Sequence, residues 1–242
     1  MKKLNIGGRA LTNGIMLQSK NYRVEATYNE AGFIEYKEEE QASRSKELIG
    51  HIPFLRGFIT IFDGTVGKIT GTILFLSLIL NGPFGQFGWF NIVLASLPLI
   101  IIALGVVAVN KSKYKELFIF HGAEHAVVNA YEKTKKTRLE MDDINFDNIL
   151  ADRCGSNYVV FYFLFGIIFY IMLGNVFSIS ASIFLITSIA YEFFSLITSI
   201  RWFNFVSRLA FPVQRIFVKR PEKKHIRAGL AAFNRLMELE KR

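Results

Sequence analysis

His121-Gly122-Ala123-Glu124-His125 sets two imidazoles four residues apart with a carboxylate between them. An α-helix turns ~100° per residue, so His125 falls ~40° from His121, Glu124 ~60° to the other side, and Glu132 ~20° away. His121, Glu124, His125 and Glu132 therefore share one polar face. Neutral imidazoles at i and i+4 can bind one divalent ion, and the intervening carboxylate can hold or deprotonate a water. This is the inverted zincin order, H-x-x-E-H, and its logic is two ligands, one base and an open coordination position. His121 and His125 are the candidate metal ligands, Glu124 the candidate catalytic base, and zinc the expected ion. The bland reading is that a match of five residues arises by chance, with the imidazoles capping a helix, pairing with Glu132 or facing lipid headgroups.

Such a site normally needs a third protein ligand. Glu132 shares the face but stands ~10 Å of helical rise beyond His125, long for sharing one ion. Glu192 lies between Ala190-Tyr191 and Phe193-Phe194, and a carboxylate in hydrocarbon costs at least ~2.5 kcal/mol and needs a partner. Glu132 and Glu192 are the favoured completing ligands. Asp152 and Cys154 are further candidates, Cys thiolate being a good zinc ligand, although a lone Cys is more often a small buried residue. His51 and His225 read as structural. Gly64-Thr-Val-Gly67-Lys68-Ile69 fails as a phosphate loop, because Phe62 stands where a glycine is required and Ile69 where Ser or Thr is required. Gly7-Gly8 is too little for a nucleotide and reads as a place where backbone packs closely or turns.

The elements that would position these residues follow from charge and hydropathy. All 29 Lys and Arg lie in three blocks, 2–68, 111–153 and 201–242, holding 10, 8 and 11 of them. The stretches between are dominated by Leu, Ile, Val, Phe and Ala, and 51% of the chain is hydrophobic. A transmembrane helix needs ~20 mostly apolar residues. The expected fold is therefore mainly α: an integral membrane helical bundle of about four transmembrane helices, at about 64–82, 91–109, 158–177 and 179–200. The positive-inside rule places the N-terminus, the loop 110–156 and the C-terminal region 201–242 in the cytoplasm of a bacterial cell membrane protein. The net charge of +9 is then explained by basic loops facing membrane lipids, and nucleic acid is not an expected partner. No apolar core follows Met1-Lys-Lys-Leu-Asn-Ile, so no cleavable signal is expected. One Cys excludes an internal disulfide and fits a reducing compartment.

Residues 1–50 read as a small cytoplasmic β unit, ahead of a membrane domain over 51–242. Tyr22–Tyr28 and Phe33–Lys37 alternate in polarity around an Asn29-Glu-Ala-Gly32 turn, giving a hairpin with room for a third strand over Ala10–Leu17. Glu38–Glu47 reads as a charged connector, and His51–Asp63 as an amphipathic helix on the membrane. Helical spacing runs over Lys111–Tyr131. A last helix over Glu222–Leu239 carries an apolar stripe of Ile226, Leu230, Phe233 and Leu236-Met237.

The chain resembles the bacterial DUF1385 (YqhQ-like) family nearly end to end. The matching pieces are Gly7-Gly8-Arg9-Ala10 with Gly14-Ile15-Met16, Pro53-Phe-Leu-Arg-Gly57, and His121-Gly-Ala-Glu-His125 with Asn129-Ala-Tyr-Glu132. Arg153-Cys-Gly155, Tyr191-Glu192 and Gln214-Arg215 before Pro221 complete them. The resemblance implies a multi-pass membrane protein and a metal-dependent enzyme. The chain departs from the family pattern at Asn13, where a Glu is usual, and at Ala151-Asp152, where His-Pro is usual.

The expected function is a membrane-embedded metal-dependent hydrolase at the cytoplasmic membrane boundary, acting on a carbonyl or phosphoryl centre of a membrane or lipid-linked substrate or a peptide. The competing reading is a non-catalytic membrane scaffold or regulator that docks a cytoplasmic protein partner, its His/Glu cluster structural. A transporter fits less well, since its spans would need more polar residues.

Overall fold

The computed structural model describes residues 4–41, 53–54, 111–173, 179–199 and 204–241. The chain divides into two compact units. The first draws on residues 1–43, 107–151 and 211–242, and the second on 44–106 and 152–210.

The first unit holds an antiparallel sheet of four strands in sequential order: β1 (Gly7–Leu11), β2 (Gly14–Gln18), β3 (Tyr22–Tyr28) and β4 (Ile34–Glu40). The run expected as one strand over Ala10–Leu17 is two, because Thr12-Asn13 closes a two-residue turn. Asn13 ties that turn to β3: its carbonyl accepts the Tyr28 amide at 2.8 Å, and its Nδ2 donates to the Tyr28 carbonyl at 3.1 Å. Asn29–Gly32 forms the predicted turn between β3 and β4, with the Asn29 side chain accepting the Phe33 amide and Gly32 at φ 81°. Strand β4 runs on into the acidic stretch expected as a connector. Glu39 stands opposite Arg23, and Glu38 receives a two-pronged grip from Arg235 at 2.6 and 3.3 Å.

Helix α1 (Lys111–Thr134) closes the core face of this sheet. It ends where Lys135 turns left-handed (φ 58°) and donates its amide to the Tyr131 carbonyl, a backbone cap that satisfies an otherwise orphaned acceptor. Ile119, Phe120, Ala123, Ala126, Val127, Ala130 and Tyr131 recur every three or four residues and are buried. The second unit contains α2 (Gly155–Leu173), α3 (Ile179–Ser199) and the short α4 (Asn204–Ser207). The first unit resumes with α5 (Phe211–Phe217) and α6 (Lys223–Leu239). All five stripe residues of α6 are buried, each contributing roughly 1.5–3 kcal/mol by leaving water. Together with Ile15, Leu17, Val24 and Ala26 of the sheet and the buried face of α1 they form one core.

Among the described residues no helix is long and apolar enough to cross a membrane. This corrects the expected four-span bundle and the multi-pass membrane location built on it. The expected spans 64–82 and 91–109, the amphipathic segment 51–63 and His51 lie outside the described residues, apart from Pro53-Phe54. The other two correspond to α2 and α3. In α2 the uninterrupted apolar run, Tyr158–Leu173, has 16 residues and reaches ~24 Å, short of the ~30 Å of a bilayer core. In α3, Thr187-Ser188 and Glu192 break the apolar sequence, and Thr187 and Ser188 are buried. The two helices pack on each other instead, through Phe161, Ala190 and Phe193, with the Phe161 and Phe165 rings edge-on to Phe193 at 5.5 and 4.9 Å.

Candidate metal centre

All five residues of the H-x-x-E-H run lie on α1, and each meets a defined neighbour within the first unit. The His121 and His125 rings stand edge to face with centroids 4.5 Å apart. Their ligand nitrogens lie within 4.8 Å of each other. Glu124 Oε2 is 3.9 Å from Nε2 of His121 and 3.7 Å from Nε2 of His125. These separations are too long for direct hydrogen bonds. They leave a polar space bounded by three donor atoms.

The other nitrogen of each ring faces a main-chain carbonyl. His121 Nδ1 lies 3.2 Å from the Phe217 carbonyl oxygen, and His125 Nδ1 lies 2.6 Å from that of Ile149. A carbonyl only accepts, so both Nδ1 atoms carry hydrogen and both Nε2 atoms keep a lone pair in the neutral ring. Metal-ligating histidines are held in this way, by a second-shell acceptor that fixes the tautomer.

Two backbone segments supply those carbonyls. One is 148–151, running beside α1. Asn129 Nδ2 donates to the Asn148 and Leu150 carbonyls, both at 2.9 Å. Gln214, fully buried, accepts the Ala151 amide at 2.9 Å and donates to the Ala151 carbonyl at 3.0 Å. The other segment is 217–219, whose Lys219 amide donates to the Phe118 carbonyl at 3.0 Å. That approach requires glycine at position 122, because a Cβ there would lie 1.8 Å from the Lys219 carbonyl oxygen. Ala123, between Gly122 and Glu124, is fully buried in the core.

Burial sets the protonation of the cluster. Glu124 is 7% exposed, and burial pushes its carboxyl up from 4.5 to about 8. Burial, with a smaller contribution from His121, pushes His125 down from 6.5 to about 3. Burial lowers His121 as well, partly opposed by its bond to the Phe217 carbonyl. At neutral pH and without an ion the cluster is therefore two neutral imidazoles around a protonated carboxyl. A bound cation reverses the carboxyl's preference.

Glu132 is half-buried on the last turns of α1, two turns beyond His125 and outside the His121–His125 cluster. In the second unit, Glu192 on α3 accepts the Phe54 amide at 3.0 Å. Asp152 accepts the Ser207 hydroxyl at 2.5 Å, and the Cys154 thiol is buried just ahead of α2. His225 is structural, as expected. It is fully buried, accepts the Glu222 amide at Nδ1 (3.2 Å) and donates from Nε2 to Glu116 at 3.0 Å.

A helix presenting two tautomer-fixed imidazoles beside a buried carboxyl defines a candidate metal centre. The chain belongs to the DUF1385 family, described as proteins of unknown function, whose pattern matches residues 74–239. It is similar to the uncharacterized protein YqhQ of Bacillus subtilis (strain 168), with 23% identity over 296 residues covering 97% of this chain and 92% of that protein. No solved structure matches it.

Proposed function

We propose that the chain is a metal-dependent hydrolase in which His121 and His125 hold a zinc ion and Glu124 is the general base. The observation that carries this reading is the pair of Nδ1–H···O=C bonds. They leave both Nε2 lone pairs on the side where Glu124 Oε2 stands, at 3.9 and 3.7 Å. The donor set fits zinc, which takes neutral imidazole nitrogens and tolerates an open position. When bound, the ion would polarise a carbonyl or phosphoryl oxygen and lower the pKa of a water.

The protein's own residues do the rest. The carbonyls of Phe217 and Ile149 hold the rings. Glu124 gives up its proton when positive charge enters the pocket and can then take one from the nucleophilic water. Its burial keeps that carboxylate basic enough for the task.

The test is metal content followed by chemistry. Purified protein retains zinc near one equivalent, and the double variant His121→Ala, His125→Ala loses it. Glu124→Gln keeps fold and metal but loses hydrolysis of any ester, amide or phosphoester that the wild type cleaves. Equal metal in wild type and double variant ends the proposal. Metal binding with no difference between wild type and Glu124→Gln leaves a structural metal site in a docking protein.

A further inference from the structure

Of the polar groups around the candidate centre, one amide side chain is bonded on both sides of the carbonyl that meets His125. Asn129 lies one helical turn after His125, on the same face. Its Nδ2 makes two hydrogen bonds of 2.9 Å, to the carbonyls of Asn148 and Leu150. The carbonyl between them, that of Ile149, takes His125 Nδ1 at 2.6 Å. Holding the carbonyls of 148 and 150 on one amide restrains the peptide between them, whose carbonyl meets the neighbouring ring. Gln214 anchors the end of the same segment through both backbone groups of Ala151.

We infer that Asn129 is a positioning residue for His125: by gripping the segment 148–150 it presents the Ile149 carbonyl to Nδ1 and so keeps the Nε2 lone pair turned into the pocket. The inference deepens the metal-centre reading and rests on it for its purpose, but the tautomer it predicts exists in the metal-free protein. Without the grip, the segment can move off, Nδ1 loses its acceptor, and the proton redistributes between the two ring nitrogens. Asn129 neither touches the ion nor moves a proton.

The same chain supplies a matched control. Asn234 grips Leu139 through a two-bond amide clamp of its own, accepting its amide and donating to its carbonyl, both at 3.0 Å. Asn129→Leu and Asn234→Leu each delete a two-bond amide clamp of similar size in the same unit.

Two readouts separate the roles. The first is the ring ¹⁵N–¹H spectrum of the metal-free protein, simple because the chain has 4 His and assignable by single substitution. Wild type and Asn234→Leu show His125 in the Nδ1–H form, and Asn129→Leu shows a mixture. The second is zinc affinity by competition with a chelator. It falls roughly 10–100-fold in Asn129→Leu, as for other outer-shell partners, and stays within about twofold of wild type in Asn234→Leu. Should Asn129→Leu not fold, Asn129→Ser, which removes the amide but keeps a polar side chain, carries the same expectations. An unchanged Nδ1–H signal in the folded Asn129 variant overturns the inference, as does a matched affinity loss in both variants. Wild-type protein that binds no zinc while Asn129→Leu still scrambles the tautomer refutes the hydrolase proposal and leaves the positioning role standing.

Discussion

Gly8 of β1 lies directly on the carboxyl of Glu124: a Cβ at position 8 would sit 2.2 Å from Glu124 Oε1 and 2.6 Å from its Cδ and Cγ. Gly8 shares the sheet's core face with Leu17, its partner in register, so the strand's backbone covers the buried side chain. Gly8→Ala must push that side chain aside. Overpacking of this kind costs ~1–3 kcal/mol, a fall of roughly 2–4 °C in Tm for each kcal/mol in a chain of this size. If Glu124 is the base of the proposed hydrolase, the loss of hydrolysis should exceed what this destabilisation explains, because that carboxyl is displaced. A Gly8→Ala protein with wild-type turnover and an unmoved carboxyl would separate β1 from the site.

Gly122 presents a harder constraint. The atom its Cβ would meet, at 1.8 Å, is a backbone oxygen, that of Lys219, and backbone cannot rotate out of the way. Gly122→Ala should push the segment 217–219 off α1, breaking the Lys219–Phe118 bond and withdrawing the Phe217 carbonyl from His121. We expect a larger loss of thermal stability than for Gly8→Ala and weaker zinc binding. A thermal melt of the two variants side by side decides it, and equal stabilities would contradict the geometry.

Much of this arrangement was written in side-chain pattern, and the rest was carried by atoms that have no pattern. Strand β3 was legible residue for residue from its alternation, and the stripe of α6 from its spacing, because side chains there face either core or water. The common face of His121, Glu124 and His125 follows from helical periodicity alone. The acceptors that orient the two rings were not legible, since Phe217 and Ile149 contribute only their carbonyls and any residue has one. Asn129 could have been suspected, as an amide one turn from His125 on the site's own face. The spans expected over α2 and α3 fail for different reasons: the uninterrupted apolar run of α2 is too short, and that of α3 is broken by Thr187-Ser188 and Glu192. The pairing of Phe161 and Phe165 with Phe193 buries part of that surface against protein.

His225 tests whether the site is specific to its own pair of imidazoles. Its Nδ1 accepts the Glu222 amide at the start of α6, and its Nε2 donates to Glu116, whose carboxyl it holds below the usual range. Both bonds are structural, and losing them leaves an orphaned amide at a helix start. His225→Ala should therefore cost about 1–3 kcal/mol while zinc content stays that of wild type. His121→Ala should do the reverse, losing zinc at little cost to the metal-free fold. If zinc content falls equally in both, the metal is held non-specifically by histidines.

The opposed shifts of Glu124 and His125 predict the pH profile of the metal-free protein. Glu124 titrates at about 8 when folded against 4.5 as its ordinary value. Between those limits the folded state holds a proton that the unfolded state has lost. Its contribution is complete below about pH 4.5 and is lost as pH rises to about 8. His125 titrates at about 3 when folded against 6.5. Its contribution is complete above about pH 6.5 and is lost as pH falls toward 3. The two slopes oppose each other between about pH 4.5 and 6.5, so stability should be flat there and decline on both sides, by on the order of a few kcal/mol at each extreme. Denaturant melts across pH 4–9 with zinc chelated measure the profile. Glu124→Gln, which cannot ionise, should flatten the alkaline arm and extend the acid arm up to about pH 6.5, because the slope that opposed His125 is gone. An alkaline arm that persists unchanged in Glu124→Gln would mean that the carboxyl is already ionised at neutral pH, and that the pocket is wetter than its burial implies.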